Sequence, residues 1–367
     1  PQKVTIRELT PEQTVSNGDG AIELSAELSA PTICRVILET SLIDAFGRRV
    51  VQSVTEHSVG TTAQRIPILL SPPTPICVHH KAFVRALADG REQDSRWVTV
   101  LFPDVGREAV DADFVAMPWG PGMSHPVTAE AYRARTRELG LNGEFARTPY
   151  LTTEGGLLAA GYIGGMHMFR ENRNTGTGIR SRCLSDPEQI AQHVRRAREA
   201  AGEQQPYGLF AVGITDEAFL SSRHDRNELC HGPHCQKRYR HWLRSKYGTL
   251  VALNQEWGRT YASWEEVVGA RTEDVRGKLN VAPFVDFRTF MTDVWVDACK
   301  TVTDAYHDVA PNVPIGHTNT FGPGPFNGND YWKLCTQTGF AWGQEYSEAI
   351  KATGHKAIFD LWRSFAD

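Results

Sequence analysis

No stretch of the chain carries the run of about 18 apolar residues that a membrane-spanning helix needs. There is no excess of basic residues either. Thirty-nine Lys and Arg stand against 43 Asp and Glu, a formal net charge of -4. Without a basic stripe, a nucleic-acid partner is not expected. Cysteines are sparse and odd in number, seven in 367 residues, which excludes a disulfide scaffold. Cys34 and Cys77 either pair in an exported protein (periplasmic or extracellular) or stay reduced and buried in a cytoplasmic one. The N-terminus, Pro1-Gln2-Lys3, has no Met and no signal-peptide pattern, which reads as a removed leader or a piece of something longer. A glycine-rich phosphate loop is also missing. Met117-Pro118-Trp119-Gly120-Pro121-Gly122 is not G-x-G-x-x-G, which argues against a doubly wound dinucleotide fold and implies no redox or nucleotide cofactor.

What is present is a globular composition, 41% hydrophobic and 22% charged, on a length that suits two domains. Residues 1–108 read as all-β. Alternating segments such as Ala21 to Leu28 and Cys34 to Glu39 suit half-buried strands, and a last strand is expected over Trp97 to Phe102. Turn signals at Asn17-Gly18-Asp19-Gly20, Gly47-Arg48, Pro72-Pro73 and Asp89-Gly90 separate them. Short strands so spaced suggest an Ig-like β-sandwich, an accessory domain with no carboxylate pair of its own.

From residue 112 to 367 the texture changes to an α/β pattern. Apolar runs begin at Phe114, Gly143, Leu157, Gly208, Val313 and Gly339. Helices are expected between them, over 186–201 with Asp186 as N-cap and Pro187 at N1, over 235–247, and over 286–308. The last places Phe287, Phe290, Val294, Ala298, Val302 and Ala305 on one face. Alternating β and α elements imply parallel strands with crossover helices. About six units are countable, where a (β/α)8 TIM barrel has eight.

The run 208–217 ends in two carboxylates, Asp216 and Glu217. In such barrels the C-terminal strand ends form the active-site face, and partial burial there raises a carboxyl toward a useful general-acid value. The competing reading is a cap at Asp216 and a solvated Glu217.

The following segment, Cys230-His231-Gly232-Pro233-His234-Cys235 continuing through Lys246-Tyr247-Gly248-Thr249 to Leu253-Asn254-Gln255-Glu256-Trp257-Gly258, resembles the family 42 glycoside hydrolases, the barrel β-galactosidases. The resemblance is specific over 235–258 and weaker over 112–367, and it does not reach residues 1–108. It implies a retaining glycosidase acting on β-galactosides or related β-glycosides, with Glu217 as general acid/base. The Asn that precedes the family's acid/base is Asp216 here; ionised Asp only accepts hydrogen bonds, so the sugar preference is expected to differ. Gly178 to Pro187 is similar to the family's loop after strand three, which assigns Arg180 to the sugar. By the same likeness Asn319, Trp342 and Tyr346 line later strand ends, and Trp119, Trp342 and Tyr346 are candidates for stacking on a sugar ring.

The resemblance also implies a structural zinc site. In relatives that have one, the cysteine of the strand-three loop joins three after the acid/base strand. Cys183, Cys230 and Cys235 stand in three of those places and the middle one is missing, so His234, or else His231, is expected to complete it. The family's nucleophile lies at the end of strand seven. Residues 349–367 resemble the helix after strand six, so the nucleophile is expected beyond residue 367 and the last βα units are expected to be missing; Glu345 in a rearranged site is an alternative. A non-catalytic carbohydrate-binding relative and a zinc-dependent hydrolase using the Cys/His cluster stay open as other readings. The partner is a glycoside substrate, and the family makes a homo-oligomer possible.

Overall fold

The computed structural model describes residues 3–14, 21–105, 115–118, 126–145, 148–164, 166, 178–216, 218–221, 228–319, 326–338, 341–343 and 364. Contacts divide the chain into two compact units, residues 1–161 with 202–211, and residues 162–201 with 212–367. This division differs from the change of texture at 108–112, which instead marks where antiparallel strands give way to parallel ones. Among the described residues no helix is long and apolar enough to cross a membrane.

The first unit holds two antiparallel sheets. Strands β1 (Thr5–Pro11), β2 (Ile22–Ser29) and β5 (Gln64–Leu70) form one in the order β1-β2-β5. Strands β3 (Cys34–Asp44), β4 (Arg49–Val59), β6 (His79–Ala88) and β7 (Arg91–Leu101) form the other in the order β4-β3-β6-β7. Burial alternates along β5 and β6, as period-2 side chains require when one face meets a core. Leu24, Leu28, Val36, Leu38, Ile66, Val84 and Val100 share that core. The Asp89-Gly90 signal is a hairpin turn: both residues have positive φ (52° and 69°), and Ala88 pairs with Arg91 across it.

The same unit continues with α1 (Pro126–Glu138), β8 (Gly143–Phe145), α2 (Pro149–Glu154) and β9 (Leu158–Tyr162), whose last residue, Tyr162, belongs to the second unit; β8 and β9 pair in parallel. The expected strand at 114–117 does not form over its described part. Residues 115–118 have no regular structure; the Ala116 carbonyl accepts from the N–H groups of Asn142 and Gly143, and the Asn142 side chain accepts from the Ala116 N–H. A side-chain amide takes the place of a ladder partner.

The second unit carries α3 (Pro187–Gln204), β10 (Ala211–Gly213), α4 (Pro233–Tyr247), α5 (Leu250–Trp257), α6 (Thr272–Val275), α7 (Ala282–His307), β11 (Ile315–Asn319), α8 (Tyr331–Thr338) and β12 (Ala341–Gly343). Strand β11 pairs in parallel with β10 and with β12. The helix signals act as read. Asp186 Oδ1 accepts from the Glu188 N–H at 3.0 Å ahead of Pro187. The six apolar residues named for 286–308 are all buried in α7. Gly248, at φ 70°, ends α4 and Thr249 Oγ1 caps α5 through the Ala252 N–H.

Candidate functional site

Strand β10 delivers Asp216 three residues past its end. The strand end of β9 meets it there: the Ile163 N–H donates to the Gly213 carbonyl at 3.0 Å, and Tyr162 Oη donates to Asp216 Oδ1 at 3.2 Å. Asp216 is half-buried. Ionised, it accepts a phenolic hydrogen bond from Tyr162. Glu217 lies outside the described residues, as do Trp119, Tyr346 and Glu345. Asn319 closes β11 and Trp342 lies within β12, so both belong to parallel strands as expected, with their side chains outside the description.

Arg180, expected at the sugar, is buried with its guanidinium held by backbone carbonyls. It is 2% exposed. Its Nε donates to the Leu220 carbonyl at 2.9 Å, Nη2 to Phe219 at 3.1 Å and Nη1 to Arg182 at 3.0 Å. The guanidinium therefore braces the segment that directly follows Glu217. The sequence placed Arg180 near the right loop but could not show which way its fork is spent.

The cysteine reading converges. Cys183, Cys230 and Cys235 bring their sulfurs within 4.8 Å of one another, with Cys183 and Cys235 at 3.4 Å. The Cys183 and Cys235 thiols, and then the N–H groups of Arg180 and Gly232 at 3.4 Å each, hold Cys230 far below the ordinary thiol range against its burial. Cys235 and Cys183 are raised in turn. Three sulfurs turned toward one another make a ligand set of the kind thiophilic metals bind. Tetrahedral Zn²⁺ with Zn–S bonds of about 2.3 Å would set sulfurs about 3.8 Å apart, and the cluster fits that spacing. His234 does not join it: its side chain is exposed and is not part of the cluster. His231 does not either; its ring packs on Phe287 at 4.5 Å, with Nε2 buried and without a hydrogen-bond partner.

A residue the sequence reading passed over explains the 235–258 motif. Asp286, on α7, is 2% exposed. Its Oδ1 accepts from Lys246 Nζ at 2.5 Å, and its Oδ2 accepts from Tyr247 Oη at 2.6 Å and Trp257 Nε1 at 2.9 Å. Asn254 closes the next loop, accepting from the Tyr261 N–H at 3.0 Å and donating to its carbonyl at 2.9 Å. The motif thus clamps three helices together rather than meeting a substrate. A carboxylate inside an otherwise apolar helix face was the available signal. Arg288, two residues on, is 4% exposed, and its Nε, Nη1 and Nη2 have no hydrogen-bond partner. The rings of Phe287, Phe284 and Phe326 lie around it at 4.7, 5.9 and 5.9 Å, and the charge of Glu228 acts on it from nearby.

Known proteins resemble this arrangement. The glycoside hydrolase family 42 model, described as beta-galactosidase, matches residues 180–366, about half of the chain. Beta-galactosidase BglY of Alicyclobacillus acidocaldarius is 34% identical over 111 residues, 29% of this chain and 15% of that protein. Beta-galactosidase BgaP of Planococcus sp. (strain L4) is 35% identical over 117 residues, 29% of this chain and 17% of that protein. The matched segments therefore span less than a fifth of those two relatives. The crystal structure of beta-galactosidase from Bacillus circulans sp. alkalophilus superposes with a TM-score of 0.51 at 16% identity, covering 69% of this chain and 42% of that one. At that identity the likeness speaks for the fold, a TIM barrel of mixed α/β content. With the family match covering α3 through β12, the chain belongs to glycoside hydrolase family 42.

Proposed function

We propose that this chain carries the general acid/base of a retaining glycosidase active on β-galactosides or related β-glycosides. The observation that carries the reading is the position of Asp216 three residues past the end of parallel strand β10, with Glu217 next in sequence, inside the segment matched by the family. Glu217 protonates the glycosidic oxygen as the bond to the anomeric carbon breaks. It then takes the proton of the water that releases the sugar. Asp216, anchored by Tyr162, accepts from a sugar hydroxyl. Arg180 holds the 219–220 carbonyls and so fixes the backbone on the far side of Glu217. The nucleophilic carboxylate, which must lie about 5–5.5 Å from the acid/base in a retaining enzyme, is left unassigned. Residues 1–108 are read as an Ig-like accessory domain.

The test is a panel of nitrophenyl β-glycosides, galactoside and glucoside among them, on the complete gene product and on its Glu217→Gln variant. Loss of about 10²–10⁴-fold in turnover, greatest for poor leaving groups, is expected. Full activity of the variant on such substrates would remove Glu217 from the role. Silence of the wild type on every glycoside, with saturable sugar binding, would favour the binding-protein reading that Asp216 motivates.

The three thiolates are proposed to hold a zinc ion that is structural. It would tie the loop bearing Cys183 to the segment between β10 and α4, and it supplies charge neutralisation rather than chemistry. Protein purified without chelator should contain about one zinc per chain; a content below about half an equivalent would sink this assignment.

A further inference from the structure

The cluster offers three sulfurs, and what stands at the place of a fourth is a glycine. Gly232 has φ -65° and ψ 160°, an extended conformation open to any L-residue, so backbone strain does not require glycine here. A β-carbon built on it would lie 3.3 Å from Cys230 Sγ and 3.4 Å from Ile179 Cγ2. Its own N–H already points at that sulfur, 3.4 Å away. A side chain at position 232 would therefore start beside the sulfurs, and none is present. Among the described residues the neighbouring donors are turned elsewhere: His234 toward solvent, His231 onto Phe287. The oxygen recorded against the cluster is Ser185 Oγ, 3.3 Å from Cys235 Sγ, a neutral hydroxyl that makes a poor partner for a thiophilic ion.

We propose that an ion in this cluster is held by Cys183, Cys230 and Cys235 alone, leaving a fourth coordination position, on the Gly232 side, open to a small exogenous donor such as a thiol, an imidazole or cyanide. This rests on the zinc reading above. It makes the centre exchangeable at one corner, where a four-cysteine site is closed. The reaction is a ligand substitution: the incoming donor lone pair replaces water on the ion, and no electron changes hands.

The experiment uses the full chain, reduced, with Co²⁺ in place of zinc, because tetrahedral cobalt–thiolate absorption reports each change of ligand. Titration with imidazole and with 2-mercaptoethanol should shift the visible bands of the wild type saturably. In Gly232→Cys a fourth thiolate should occupy the position, so those donors should leave the bands unmoved. Loss of the ion to a chromogenic chelator should also slow by at least about tenfold. Gly232→Ala adds the β-carbon without the sulfur; it should respond to donors like the wild type, which separates coordination from crowding. Cobalt uptake with a spectrum indifferent to both donors would overturn the open position and leave the metal reading standing. No uptake by the reduced wild-type chain would remove both.

Discussion

Two clusters in the second unit use buried polar groups in opposite ways. Around Asp286 every strong donor is matched: a carboxylate with two oxygens meets an ammonium, a phenol and an indole N–H. Around Cys230 the set is, among the described residues, one ligand short. The first arrangement is closed and does structural work. The second is complete only when an ion and a fourth donor arrive. The difference shows that a well-matched sequence motif can mark a clamp, while a gap in a motif can mark a site. Arg288 is the extreme of the series, a buried cation with rings around it and no acceptor.

The strongest way to break this comparison is to remove Asp286. Asp286→Ala should cost about 2–4 kcal/mol in urea unfolding, since Tyr247 and Trp257 lose a buried acceptor. Lys246, with 43% of its side chain exposed, can return to water and adds less. A change below about 0.5 kcal/mol would mean that the clamp carries no stability.

The clamp should also respond to alkali. Tyr247 is raised above its ordinary 10.0 by burial and by its bond to Asp286. Lys246 is pulled down by burial, but its hydrogen bond to Asp286 and that residue's charge hold it above 10.5. Both groups keep in the fold protons that the unfolded chain releases. Their contribution is therefore full below about pH 10 and lost as pH rises through the raised values. The stability difference between wild type and Asp286→Asn should accordingly narrow above pH 10, as read from urea midpoints across pH 8–11. A constant difference would separate the two groups from the carboxylate.

A smaller effect is expected at Arg288. Replacing it with Met removes a buried charge that has no hydrogen-bond acceptor and is only partly offset by Glu228, and keeps the apolar stem, so stability should hold or rise by about 1 kcal/mol. A loss of more than about 2 kcal/mol would show that the aromatic cage outweighs the desolvation cost. The smallest effect belongs to His234→Ala, for which zinc content measured by elemental analysis should equal that of the wild type. A fall in zinc would put His234 back among the ligands and close the position beside Gly232.

Local pattern was enough for much of this. The strands read at Ala21 to Leu28 and Cys34 to Glu39, the Asp89-Gly90 turn, the Asp186-Pro187 helix start and the apolar stripe of α7 all follow from periods and backbone preferences that a few neighbouring residues set by themselves. The spacing of Cys183, Cys230 and Cys235 named the members of the sulfur cluster through a family likeness. The run at 114–117 misled because apolar composition does not say whether a ladder partner exists. The remainder depended on side chains meeting across dozens of residues. Arg180 reaches carbonyls 39 and 40 positions away, and Asp286 gathers donors 29, 39 and 40 positions away. Such encounters are fixed by how the helices pack, and no local period encodes them. The sequence by itself determined which elements form and which residues are chemically able; only the tertiary structure decided that Arg180 is spent as a brace, that His234 faces water, and that Gly232 stands where a fourth ligand would begin.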